Sequence, residues 1–326
     1  MKGLRTRAVV LGLVVAAATL ASCRPPIGYE QAYLASLHNF EFRRHHARAD
    51  RIFNGFDYGH AILYETLLAG SDGTAALEGP VFSRVTTRVL TRPPSVPLEE
   101  AAIGPRYATL IPEVVAMFDW AHLLHRQLYD IWAAPGWSAT LCDAEAARIL
   151  AYYKTRPDLA FSSFPKSMDL MEGQPYSRVF RQQAPRYNGL MWSYHWMQMA
   201  VYDALMADTV PSKQRNNVAA VVDRFFSLIA DAPREMPTMM PMSAAVAPVF
   251  SARYPEAAII FDNLHALHDV VSDILLSDSI PCDQKRGAIL RAAAAYRDST
   301  TEVTTRAEWL EMSRMMTEER LRPPPH

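Results

Sequence analysis

The sequence predicts an all-α fold, a helical bundle built on four repeat-related core helices with additional helices and long loops. Three observations carry this. A pattern centred on Phe118–Asp130 recurs three more times; its polar positions fall at spacings of three; and nothing in the chain alternates as a sheet. The copies read Phe53-Asn54-Gly55-Phe56-Asp57-Tyr58-Gly59-His60 on to Glu65, Met191-Trp192-Ser193-Tyr194-His195-Trp196-Met197-Gln198 on to Asp203, and Phe261-Asp262-Asn263-Leu264-His265-Ala266-Leu267-His268 on to Asp273. Residues three apart share one helix face about a turn apart, and cannot line one face of a strand.

In chain order, Lys2, Arg5 and Arg7 precede an apolar run from Ala8 to Leu20, too short to span a membrane comfortably, so residues 1–22 read as a secretory signal. Arg24-Pro25-Pro26 makes residues 23–28 a stiff tether, and residues 29–322 form the bundle domain. From Tyr29 to Ala69 the apolar residues repeat at threes and fours, with Gly55 and Gly59 expected to interrupt or kink the helix, because Gly costs about 1 kcal/mol against Ala there. His38, Glu41 and His45 share a face among Arg43, Arg44 and Arg48, which reads as a solvated charged surface rather than a metal site. Gly70 to Pro112 reads as an irregular crossover, with Pro93, Pro94, Pro97 and Pro105. Pro112 opens the second repeat helix and Pro135-Gly136 ends it.

Asp143 to Lys154 is a short amphipathic helix, and the proline-studded stretch from Arg156 to Arg186 is a long ordered loop with helical turns. The third repeat helix covers Asn188 to Ala207. Ser212 is expected to cap the next helix, which turns Val218, Val221, Val222, Phe225, Phe226 and Ile229 inward and ends before Pro233. Met236, Met239, Met240 and Met242 could offer thioethers to Cu(I), but the reading taken is packing, since Met commonly fills gaps. Pro255 opens the fourth repeat helix, which lasts to Leu276. One helix follows Pro281, and another is announced by the capping box Thr305-Arg306-Ala307-Glu308. Residues 323–326 are an expected disordered tail.

Composition narrows function. Without the leader, Lys plus Arg falls from 33 to 30 against 34 acids, a net charge of −4, so nucleic acid is not an expected partner. Cys142 and Cys282 follow repeats two and four at similar offsets, and a disulfide between them is open in an exported chain. No phosphate-binding loop or Ser-centred nucleophile elbow supports a nucleotide or esterase activity.

His60, His122, His195 and His265 lie 62, 73 and 70 positions apart, which lets each helix return to the same level of a bundle. Packing those faces together would gather Asp57, His60, Asp119, His122, His125, His195, Asp262, His265 and His268 as candidate metal ligands. Imidazole suits Zn, Cu, Fe and Ni, while carboxylates bind directly or orient the imidazole. Asp119 and Asp130 are separated by about 16 Å of helical rise, so Glu65, Asp130, Asp203 and Asp273 are assigned to ion pairs or hydrogen bonds nearer the helix ends.

Two resemblances follow from these motifs. Leu20-Ala21-Ser22-Cys23 resembles the lipobox of bacterial lipoproteins, which implies cleavage before Cys23, its lipidation, and a palmitate-bearing chain anchored to a membrane of the cell envelope, facing the periplasm or exterior. Asp57-x-x-His60, Asp119-x-x-His122 and Asp262-x-x-His265 resemble the Glu-x-x-His pairs of ferritin-like dimetal bundles, with Asp in place of Glu and Trp192 in that place on the third helix. The His-x4-Asp spacings at His125–Asp130 and His268–Asp273 resemble hemerythrin, although its His-x3-His pair is absent. These resemblances imply a metal ion, iron first and dinuclear, serving redox or oxygen-linked chemistry; copper, manganese and zinc stay open. Two alternatives stand beside it: a bundle with non-covalent haem for electron transfer, since no Cys-x-x-Cys-His occurs, and a non-catalytic envelope lipoprotein with a structural polar network.

Overall fold

The computed structural model describes residues 29–320 apart from Ser71, Leu98 and Pro233; the segment expected to be a signal peptide, Cys23 and the tail expected at residues 323–326 lie outside them. The regular structure of the described residues is helical, with no strand beyond an isolated bridge between Lys166 and Val303. Four core helices organise the rest: Ala47–Leu67, Pro112–Ala133, Pro185–Met206 and Pro255–Leu276. The first and the second each pack against both the third and the fourth. Among the described residues no helix is long and apolar enough to cross a membrane.

Each core helix is entered the same way. A short helix (Glu41–His45, Pro105–Leu110, Val179–Gln183 or Pro248–Arg253) runs up to one non-helical residue, and the core helix starts directly after it. Those residues, His46, Ile111, Ala184 and Tyr254, share φ between −125° and −137° and ψ between 43° and 60°. Pro112, Pro185 and Pro255 explain three of the four turns. Proline's ring excludes the helical conformation from the residue before it, and its missing N–H costs nothing at the first helical position.

The acid at the far end of each core helix caps a neighbouring short helix. Asp130 accepts from the Phe40 and Phe42 amides, both at 2.8 Å. Glu65 returns the arrangement by accepting from the Arg106 and Tyr107 amides at 2.9 and 3.3 Å. In the other half, Asp203 accepts from Val249 and Phe250 at 3.0 and 2.8 Å, and Asp273 from Arg178 and Phe180 at 2.8 and 2.7 Å. The first and second core helices thus cap each other's entry helices, and the third and fourth do likewise. The expected placement of these acids in hydrogen bonds near helix ends matches this geometry.

Several boundaries differ from expectation. Gly55 and Gly59 do not interrupt the first core helix; a Cβ on Gly59 would come within 3.2 Å of Met191 Cε, so this glycine admits the third core helix closely. The 29–69 stretch is instead broken at His46. Gly73 to Val89, expected to be irregular, is helical, with π-turns at Leu77–Val81 around Pro80 and at Val85–Val89. The Pro211–Ala230 helix starts one residue before Ser212, and Ser212 does not cap it. The Thr305–Glu308 capping box forms: the Thr305 amide donates to Glu308 at 2.8 Å and the Glu308 amide to Thr305 Oγ1 at 3.2 Å. Cys142 is a buried free thiol and Cys282 an exposed one, so no disulfide joins them. His45 Nε2 meets Glu41 at 2.9 Å and His38 is buried beside Ser36, in local hydrogen bonds.

Candidate metal centre

The helical period turns His60, His122, His125, His195, His265 and His268 inward, and each is 2% exposed or less. Two ligand sets result. In the first, His60, His195 and His268 each bring one ring nitrogen to within 4.8 Å of the others. The ring centroids of His60 and His268 are 3.9 Å apart, and His265 stacks on His195 at 4.0 Å. None of the ring nitrogens of His60, His195, His265 and His268 has a hydrogen-bond partner. Each unpaired buried polar group costs about 1–3 kcal/mol.

In the second set Glu100, Asp119 and His122 converge within 4.8 Å. Asp57 adjoins them, its Oδ1 lying 3.6 Å from His122 Nδ1. Arg126 fixes Asp57 from behind at 3.3 Å, and is itself held by Asp50 at 2.9 Å and Asn54 at 2.6 Å while stacking over Phe53. Both oxygens of Glu100 are buried beside the Tyr107 hydroxyl, and Oδ1 of Asp119 is buried without a hydrogen bond, although Asp119 as a residue keeps partial exposure. The sets are contiguous: the His122 and His268 rings are 5.8 Å apart.

The electrostatics have one theme. Burial holds the imidazoles of His60, His125, His195 and His268 well below their usual range, with neighbouring histidines adding to the effect. Burial takes His265 down to about 3. Burial also lowers His122, but Asp57 opposes the shift. Burial pushes Asp119 up to about 8, with Asp57 and Glu99 adding repulsion, and drives Glu100 well above the carboxylate range, with Asp119 next in importance. Neutral imidazole is the metal-binding form, and clustered carboxylates are what a cation would stabilise.

Three sequence-predicted residues lie outside both ligand sets: His265, which stacks on His195, and Asp262 and His125. Asp262 turns away, its Oδ1 accepting from the Ser243 amide at 2.8 Å and hydroxyl at 2.7 Å and its Oδ2 from Trp309 Nε1 at 2.7 Å. This carboxylate fastens the C-terminal helix Arg306–Arg320. His125 lies at the margin: its ring centroid is 5.9 Å from that of His265, its Nδ1 is 2.8 Å from the Tyr202 hydroxyl, and its ring stacks on Phe261. Glu100, by contrast, escaped the sequence analysis. It sits at the start of the four-residue helix Glu100–Ile103, inside a stretch read as irregular, and the available signal was two successive acids ahead of Ala101-Ala102-Ile103.

A small cavity of about 10 Å³ adjoins the histidine set, its wall shared by His60, His195, His268, Met191, Trp192 and Asp269. No family model, curated protein or solved structure matches the chain.

Proposed function

We propose that the protein is a lipid-anchored metalloprotein of the bacterial cell envelope whose helical bundle holds a dinuclear non-haem metal centre for redox or oxygen-linked chemistry. The observation that carries this is the His60, His195 and His268 triad, whose converging nitrogens lack hydrogen-bond partners in a water-excluded core. A structural polar network would pair these groups, as the Asp262 network does. The mixed imidazole and carboxylate donors beside the triad suit iron or manganese, and the pairing of the two sets supports a dinuclear centre. Haem fits poorly, because the imidazole rings stack on one another at about 4 Å and occupy the space that a macrocycle would need. Membrane attachment rests on Leu20-Ala21-Ser22-Cys23.

Metal analysis of protein produced with iron, copper, manganese and zinc supplied tests the centre. Wild type should carry stoichiometric metal, His268→Ala and His122→Ala should lose it, and His45→Ala, whose ring binds Glu41 instead, should keep it. A colourless, metal-free wild type would refute the proposal. For the anchor, Cys23→Ser should leave the precursor uncleaved; an intact mass showing an unlipidated mature wild type starting elsewhere would exclude it.

A further inference from the structure

The two ligand sets are chemically unlike, and the difference bears on which ions they would hold. The triad of His60, His195 and His268 contributes no charge, and the thioether of Met191 shares the wall of its cavity. Met191 is fixed there: its Cε and Sδ lie 3.2 and 4.0 Å from where a Cβ on Gly59 would stand, so the glycine makes room for the thioether. Three neutral imidazoles with a nearby thioether suit a soft ion such as Cu(I), while Asp269, the acid in the same cavity wall, is not among the converging donors. The other set has the opposite character. Glu100, Asp119 and Asp57 supply hard oxygen donors beside the single imidazole of His122, with Arg126 shared between Asp50 and the far oxygen of Asp57. Oxygen-rich sites select Mn2+ or Fe2+. Exposure differs too: the triad is 1% exposed or less at His60 and His195 and 2% at His268, while Asp119 reaches the surface next to half-buried Glu99.

We propose that the centre is heterometallic: Cu(I) at His60, His195 and His268 with Met191 as the thioether donor, and a hard divalent ion at Glu100, Asp119, Asp57 and His122, admitted past Asp119. This deepens the metal-centre reading and rests on it.

The full mature chain, in detergent and freed of metal, is titrated anaerobically with Cu(I) against bicinchoninate and with Mn(II) followed by electron paramagnetic resonance. Wild type should bind both ions together, and Zn(II) should not displace Cu(I). Met191→Leu should weaken Cu(I) binding by about tenfold or more and remove the sulfur shell from the copper X-ray absorption spectrum, leaving Mn(II) binding intact. Glu100→Gln should abolish Mn(II) binding and leave Cu(I) in place. The proposal is overturned if Mn(II) or Zn(II) fills both positions with similar affinity, if copper shows no sulfur neighbour in wild type, or if either variant loses both ions while circular dichroism reports intact helices. Should a variant unfold, the wild-type competition and the sulfur shell decide alone. A chain that binds no metal at all would remove the metal centre itself; a chain whose two positions are alike removes only this inference.

Discussion

Asp57, Asp119 and Asp262 occupy the same place in an Asp-x-x-His pattern, yet they do different work. Asp57 and Asp119 border His122, whereas Asp262 holds Ser243 and Trp309. Three donors meet Asp262, but burial still raises its carboxyl to about 6. Replacing it should therefore be a stability lesion and not a metal lesion. Asp262→Asn should cost about 1–3 kcal/mol, because an amide nitrogen would face a donor. Thermal unfolding should show the loss while metal stoichiometry stays at the wild-type value; a variant that lost metal without losing stability would contradict the assignment. Residue type and helical period made the inward histidines legible from the sequence. They did not reveal which flank of the inward face Asp262 occupies, since a tilt of a few tens of degrees decides between two neighbours. Glu100 was hidden for another reason: a four-residue helix leaves no period to read.

At the scale of elements, the reciprocal caps join segments far apart in sequence. Their acids were visible as the last member of each pattern copy, but the recipients of Glu65 and Asp273 lay in stretches read as irregular, and Phe40 and Phe42 lay inside what read as one continuous helix. The caps also hold backbone that would otherwise be disfavoured. Phe40 and Arg178 both have φ of 71°, in the left-handed region that side chains avoid, and each donates its amide to the capping aspartate. Asp130→Ala and Asp273→Ala should each cost about 0.5–2 kcal/mol, as loss of a helix cap does. Urea unfolding should report this, and limited proteolysis should cut first within residues 38–45 in Asp130→Ala and within 174–183 in Asp273→Ala. Uniform protection of those segments would show that the caps contribute nothing local. The glycines carry a related lesson. Gly55 and Gly59 looked like helix breakers by propensity, yet tertiary packing outweighs about 1 kcal/mol, and the helix runs through both.

For the whole molecule, the buried charges set how stability follows pH in the metal-free chain. The imidazoles have folded-state values depressed below 6.5, to about 3 at His265. The unfolded chain binds more protons there, so stability rises with pH up to about 6.5. The carboxylates act in reverse. Asp119, raised from 3.8 to about 8, and Glu100, raised well above its ordinary value, stay protonated in the folded chain where the unfolded chain has already ionised. Stability therefore falls as pH rises through that window, and from about 6.5 upward the histidines no longer offset it. Between pH 6.5 and 8 the metal-free protein should lose about 1–2 kcal/mol through Asp119, with Glu100 acting in the same direction. A bound divalent cation would let both ionise without penalty, so the loaded protein should show a much flatter alkaline limb. Asp130, held near 7 by burial against its two backbone donors, leaves a residual slope in both forms. Thermal unfolding across this range, with and without Mn(II), measures the difference. Parallel curves for the two forms would mean that Glu100 and Asp119 do not face the ion, whereas convergence toward pH 6.5 and divergence toward 8 is the signature of carboxylates buried for a cation.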